Sequence, residues 1–225
     1  MHARTETALN LRISEIFFSL QGEAATAGLP TVFVRLTGCP LRCSWCDTAY
    51  AFQGGESLSL DAILSTVADF GVTAVCVTGG EPLAQKNGLI LLVALCDAGY
   101  EVSLETSGAL DVSAVDARVS RVVDVKCPGS GESEKNRWDN LKVLTPQDQL
   151  KFVLADRNDY DWAVAQLQDF GLLQQARGER PEIWFSPVAD QLNPTELADW
   201  IVADCLPVRL QLQLHKLLWQ DAKGR

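Results

Sequence analysis

Cys39, Cys43 and Cys46 stand in the spacing C-x3-C-x2-C, on Thr37-Gly38-Cys39-Pro40-Leu41-Arg42-Cys43-Ser44-Trp45-Cys46-Asp47-Thr48. Three thiolates on so short a loop can converge on one centre. Cysteine thiolates are the usual ligands of iron–sulfur clusters, four to a cluster. The loop offers three, with no fourth cysteine near in sequence. One iron of a cluster held here would lack a protein ligand, and an open iron is a place for a small molecule to bind. Two other readings compete. Structural zinc takes four Cys or His ligands in paired knuckles, yet the only histidines, His2 and His215, are far from the loop. A redox dithiol at Cys43 and Cys46 leaves Cys39 unexplained.

The loop must be carried by regular elements. Apolar runs rich in β-branched or aromatic residues and bounded by turn signals predict strands over 31–36, 74–78, 101–105, 121–125, 150–154, 182–186 and 209–214, with another over 12–17. Helices fall between them. Leu60, Ile63, Leu64, Val67 and Phe70 follow helical spacing after a cap at Ser59, and Gly71 ends them. A more apolar helix over 87–98 ends at Gly99. Tyr160, Ala163, Val164, Leu167 and Phe170 predict a third helix, stopped by Gly171. Asn193-Pro194-Thr195-Glu196 opens a fourth that runs to about Cys205. Strand–helix alternation predicts a parallel sheet covered by helices, an α/β fold of the barrel kind. In such folds the active site lies at the C-terminal ends of the strands. The cysteine loop follows the strand over 31–36, as that rule requires. The one long irregular stretch is 127–149.

Bulk properties narrow the partners. The chain has 225 residues and a net charge of −10, from 29 acidic and 19 basic side chains. That balance argues against broad binding to nucleic acid or anionic membrane, which needs basic surface. The longest apolar stretch, 89–96, is too short for a membrane span, and MHARTETALNLR lacks the apolar run of a signal peptide. The expectation is a cytoplasmic protein with reduced thiols. Of the seven cysteines, Cys76 and Cys96 sit inside apolar runs and read as small core residues. One domain over 1–225 is expected: an N-terminal extension over 1–30 that carries the segment 20–23, a barrel core over 31–214 and a C-terminal tail over 215–225, polar from Gln220.

Other motifs follow strands. Gly79-Gly80-Glu81-Pro82 ends the strand over 74–78, where glycines permit close backbone approach. Glu105-Thr106-Ser107-Gly108, Asp124-Val125-Lys126-Cys127-Pro128 and Ser186-Pro187-Val188 end later strands. Each alone reads as a turn or cap. Their shared position at strand ends is what singles them out.

With these residues in place, the loop resembles the signature of radical S-adenosylmethionine enzymes. The resemblance implies a modified, incomplete (β/α) barrel. It implies a [4Fe-4S] cluster on the catalytic residues Cys39, Cys43 and Cys46, whose open iron chelates S-adenosylmethionine. One electron from a flavodoxin-like or other donor then cleaves the cofactor to a 5′-deoxyadenosyl radical. Trp45, Asp47, Gly80 and Glu81 would hold that cofactor. Ser107, Asp124, Lys126 and Ser186 would line its ribose and carboxylate.

Phe18-Ser19-Leu20-Gln21-Gly22-Glu23 before the cluster strand, Asp47-Thr48 after the third cysteine and Leu214-His215-Lys216 near the end add a narrower resemblance, to the 7-carboxy-7-deazaguanine synthase family. It implies ring contraction of 6-carboxy-5,6,7,8-tetrahydropterin with loss of ammonia, feeding queuosine and other 7-deazapurines. Leu20, Gln21, Gly22, Glu23, Arg35 and Thr78 would contact the pterin. Arg35 lies within an apolar strand and needs a partner. A substrate carboxylate fits, and so does a neighbouring acid. The resemblance implies Mg2+ on Thr48, and a homodimer. In some relatives the chain's terminal carboxylate sits near the pterin soon after the His-Lys motif; this chain runs on to Arg225, so that contact is not transferred. A radical activase of a protein partner shares the cysteine spacing, but Leu-Gln-Gly-Glu favours the pterin enzyme. An iron–sulfur electron carrier or redox-sensing module has no need of Gly79-Gly80-Glu81.

Overall fold

A computed structural model describes residues 9–220, 222 and 224. Residues 1–8, which include His2 and most of the stretch read for a signal peptide, lie outside the described residues, as do Asp221, Lys223 and Arg225 of the expected tail.

The strands are β1 (Asn10–Leu20), β2 (Pro30–Leu36), β3 (Glu56–Ser59), β4 (Ala74–Gly79), β5 (Glu101–Thr106), β6 (Ser120–Val125), β7 (Gln149–Leu154), β8 (Glu182–Pro187) and β9 (Arg209–Leu210). The helices are α1 (Leu60–Ala68), α2 (Gly88–Asp97), α3 (Arg157–Asp169), α4 (Pro194–Ala203) and α5 (Leu214–Trp219). All nine strands form one sheet in the order β3-β1-β2-β4-β5-β6-β7-β8-β9. From β2 onward every pairing is parallel, while β1 runs antiparallel to both β2 and β3. The sheet does not close, which makes it an incomplete barrel of α/β type.

Helix ends follow their capping chemistry. Ser59 Oγ accepts from Ala62 N at 3.2 Å at the start of α1, and Asn193 Oδ1 from Thr195 N at 2.9 Å at the start of α4. Asp156, unread as a cap in the sequence, accepts from Asp159 N at 3.0 Å at the start of α3. Gly99 follows α2 with φ +89°, a left-handed turn that a side chain would strain.

Strand alternation sorts the residues. Val32, Val34 and Leu36 of β2 enter the hydrophobic core, as do Val75 and Val77 of β4, Leu104 of β5, and Leu150, Phe152 and Leu154 of β7. They meet Ile63 and Val67 of α1 and Leu91 and Leu95 of α2, all fully buried. Each such side chain contributes about 1.5–3 kcal/mol relative to exposure. The period of two sends the intervening residues to the other face, and that face lines the site.

Three elements differ from the sequence reading. The strand over 209–214 ends at Leu210, and Leu214 begins α5, so His215 lies on a helix. The strand over 12–17 extends over all of β1. The extension expected over 1–30 therefore includes a strand hydrogen-bonded within the sheet. β3 was not anticipated: Glu-Ser-Leu-Ser has little strand character and is defined by its pairing with β1, Asn10 opposite Ser59.

Candidate active site

A cavity of about 710 Å3 opens on the inner face of the sheet at its C-terminal side. Alternation places one polar residue from each of five strands on its wall: Arg35, Thr78, Glu105, Asp124 and Lys151. Two neighbouring pairs in this row are in direct register, Arg35 with Thr78 and Asp124 with Lys151.

The cysteine loop leaves β2 and folds over one side of this cavity. Thr37 N donates to Arg12 O at 2.9 Å, and Gly38 N to Ala51 O at 2.8 Å. Glu81 N donates to Gly38 O at 2.7 Å, tying the loop to the end of β4. Ser44 N donates to Ser130 O at 3.0 Å, anchoring the loop to the irregular segment after β6. The two glycines have a geometric reason. A Cβ on Gly80 would stand 2.2 Å from Gly38 O, and one on Gly79 2.2 Å from Leu36 O. The close approach of β4 to the cysteine loop therefore excludes any side chain at either position.

Cys39, Cys43 and Cys46 are all free thiols on the cavity wall. Burial pushes Cys39 and Cys43 up, with Lys126 pulling against it. Among the described residues no three Cys, His, Asp or Glu side chains close on a single-ion site. Three soft thiols spread around a common space fit a multi-iron cluster rather than a lone ion. Cys127 is fully buried beside Val125 O and does not line the cavity, so it is not placed as a fourth ligand.

Sixteen of the eighteen residues singled out in the sequence line this cavity: Leu20, Gln21, Gly22, Glu23, Arg35, Cys39, Cys43, Trp45, Cys46, Asp47, Thr48, Thr78, Gly80, Ser107, Asp124 and Lys126. Two do not. Glu81 is fully buried, and its carboxylate accepts from Leu83 N, Thr106 Oγ1 and both N and Oγ of Ser107, at 2.5–3.0 Å. It faces the protein and fixes Ser107, rather than presenting its oxygens to a ligand. Ser186 of β8 stands opposite Val153 of β7, is fully buried, and its hydroxyl has no hydrogen-bond partner among the described residues.

Several assigned groups are already engaged. Arg35 Nε donates to Glu15 Oε1 at 2.7 Å, which also accepts from Tyr50 Oη at 2.7 Å. The neighbouring acid that the sequence left open is therefore Glu15. Glu23 accepts from Gln213 Nε2 at 2.5 Å and pairs with Lys151. Burial alone would raise its carboxyl, but Lys151, Gln213 and His215 hold it below the usual range. Asp47 lies 3.9 Å from His215 Nε2 and accepts from Thr48 Oγ1 at 3.0 Å. Despite burial, those two contacts depress its pKa.

Glu105 and Lys151 were missed as site residues. Glu105 accepts from Thr78 Oγ1 at 2.8 Å and from Gln21 Nε2 at 3.3 Å. Both carry the signal that exposed Arg35 in the sequence, a charge inside an apolar strand that needs a partner.

The family model described as "Radical SAM superfamily" matches residues 33–126, the stretch that holds the three thiols and most of β2 to β6, and the class is that of radical S-adenosylmethionine enzymes. Relatives then narrow the class. The chain is 45% identical to a 7-carboxy-7-deazaguanine synthase of Chlorobaculum tepidum over 98% of this chain and 99% of the relative. It is 41% identical to one of Koribacter versatilis over 95% and 100%. The crystal structure of QueE from Escherichia coli superposes with a TM-score of 0.71 at 25% identity, over 92% of this chain and 95% of that one. This chain belongs to the 7-carboxy-7-deazaguanine synthase family.

Proposed function

We propose that the chain converts 6-carboxy-5,6,7,8-tetrahydropterin to 7-carboxy-7-deazaguanine, releasing ammonia, as a step toward queuosine or another 7-deazapurine. The observation that carries this reading is that one cavity joins the three-cysteine loop to the polar row of Arg35, Thr78, Glu105, Asp124 and Lys151. When bound, a [4Fe-4S] cluster with S-adenosylmethionine supplies a hydrogen-abstracting organic radical.

The chain's own residues then have distinct tasks. Cys39, Cys43 and Cys46 hold the cluster. Trp45, Asp47, Gly80, Ser107, Asp124 and Lys126 receive the cofactor, with Glu81 fixing Ser107 and Ser186 behind the wall. Asp124 Oδ1 is buried without a partner, as an acceptor awaiting a ligand hydroxyl or ammonium would be. Leu20, Gln21, Gly22, Arg35, Thr78 and Glu105 receive the pterin. Phe17 and Phe33 stack at 4.9 Å and both line the cavity, a flat apolar support for a fused ring. Glu15 engages Nε of Arg35, leaving the Nη donors for the substrate carboxylate. Glu23, engaged with Lys151 and Gln213, anchors the substrate segment. The oxygens of Thr48 and Asp47 suit Mg2+, a hard cation that keeps several waters. A one-electron donor such as a flavodoxin, a homodimeric assembly and a cytoplasmic setting complete the reading. Among the described residues no helix is long and apolar enough to cross a membrane.

The test is anaerobic. Iron and sulfide are reconstituted and the cluster reduced. S-adenosylmethionine, the carboxytetrahydropterin and Mg2+ are then supplied. A deazaguanine product that needs the pterin, rises with Mg2+ and disappears in Cys43→Ala is expected. Cofactor cleavage without any pterin-dependent product would overturn the substrate assignment.

A further inference from the structure

Lys151 stands in the middle of β7, flanked by core residues, with its side chain 10% exposed. Its ammonium faces two carboxylates, that of Glu23 and that of Asp124 on the neighbouring strand. Toward the substrate segment it donates to Glu23, whose other oxygen accepts from Gln213. Toward the cysteine loop it lies 4.0 Å from Asp124 Oδ2. That same oxygen is 3.0 Å from Lys126 Nζ. Asp124 Oδ1 is buried and unpartnered. Burial works to neutralise Lys151, but Glu23, Asp124 and Glu105 keep it charged.

One ammonium is therefore shared between a carboxylate on the pterin side and a carboxylate with a vacant acceptor on the cofactor side. Resting on the reading of this cavity as a pterin and S-adenosylmethionine site, we infer that Lys151 is a positioning residue that couples the two ligands, so that each binds more tightly when the other is present. A pterin seated on residues 20–23 displaces the last water from Glu23 and Lys151, whose side chains are each 10% exposed. The local dielectric falls, and the attraction between Lys151 and Asp124 strengthens. Asp124 is then already ordered when the cofactor arrives, and the cofactor binds without bearing that entropic cost. Linkage makes the effect reciprocal.

The experiment uses the anaerobic, cluster-loaded enzyme left oxidised, so that neither ligand turns over. Calorimetry measures S-adenosylmethionine binding with and without saturating 6-carboxytetrahydropterin. Wild type is expected to bind the cofactor about 5- to 10-fold more tightly when the pterin is present. In Lys151→Met the ratio falls to about one, even where loss of the Glu23 pair weakens the pterin on its own, while Lys151→Arg keeps part of it. If Lys151→Met does not fold, Asp124→Asn, which removes the other half of the pair and also weakens the cofactor on its own, is expected to bring the ratio of the two cofactor affinities to about one. An unchanged ratio in either variant, or a wild-type ratio of one, overturns the coupling. So does a Lys151→Met protein that binds one ligand normally and has lost the other entirely, since Lys151 would then be a direct contact. Wild type that binds the cofactor and never the pterin sinks the proposed substrate, a result distinct from lost coupling.

Discussion

Gly22 and His215 meet where the first strand's end faces the last helix: a Cβ on Gly22 would stand 2.4 Å from His215 Nδ1. The backbones are joined there as well, with Leu214 N donating to Gly22 O at 3.0 Å. Gly22→Ala must displace the imidazole from its place on the cavity wall, 3.9 Å from Asp47. A misplacement of this size near a reacting group costs on the order of 10- to 100-fold in kcat/KM. Steady-state kinetics should show the loss mainly toward the pterin. Adding His215→Ala to Gly22→Ala should recover part of it, because the clash is gone. Wild-type kinetics in the single variant would refute this account of the glycine.

Gly80→Ala tests the seam between β4 and the cysteine loop. The new methyl would meet Gly38 O at 2.2 Å and Cys39 Cβ at 3.0 Å. Backbone on backbone cannot yield as a flexible side chain can, so the loop must shift and carry Cys39 with it. Iron and sulfide content after reconstitution should fall well below wild type, with the sheet intact by circular dichroism.

Glu105→Gln removes the charge that accepts from Thr78 and Gln21. Hydrogen bonds to ionised groups are worth roughly 1.5–3 kcal/mol. The pterin's kcat/KM should therefore drop roughly 10- to 100-fold, while the Kd for S-adenosylmethionine stays unchanged. Equal losses for both ligands would show that Glu105 supports the whole wall instead of the substrate alone.

The fold was legible wherever local signals agreed with the tertiary result. The runs that became β2 and β4–β8 are apolar, short and bounded by turns, as strands of a mostly parallel sheet covered by helices are. β3 was illegible because it owes its conformation to β1, which lies far off in sequence. The last predicted strand failed because an apolar alternation over 209–214 does not reveal that Gln211 turns inward to bond Ala24 through both N–H and C=O. Within the site, the cysteines, glycines and Arg35 stand out by spacing or by misplaced charge. Lys151 and Glu105 showed the same misplaced charge. What no single strand could show is that Glu23 and Lys151 are partners 128 residues apart.

Acid should weaken the fold through Asp148. Its side chain is fully buried, held by Arg121 Nε at 2.9 Å and Nη2 at 2.5 Å, and by Thr145 N at 2.7 Å. Burial pushes this carboxyl up, but Arg121 and Thr145 more than offset it and hold it below its ordinary 3.8. A depressed carboxyl contributes stability that is fully present above pH 3.8 and lost as pH falls through the lower folded-state value. Asp148→Ala should cost about 3–5 kcal/mol near neutral pH, because Arg121 is left buried and unpaired. Denaturant melts at stepped pH should show the gap to wild type narrowing on the acid side. A gap that widened as pH fell would contradict the pairing.

The gap left by the open sheet has a consequence for synthesis. Its rim is joined by Gln211 to Ala24 and by Leu214 to Gly22, partners about 190 residues apart. A nascent chain can pair β1 with β2 and form the cysteine loop early, yet the substrate wall stays unfinished until residue 215 has left the ribosome. Until then the cavity that Cys39, Cys43 and Cys46 line lacks the part of its wall that Gln213 and His215 supply, so the thiols stand more open in the growing chain than in the finished fold.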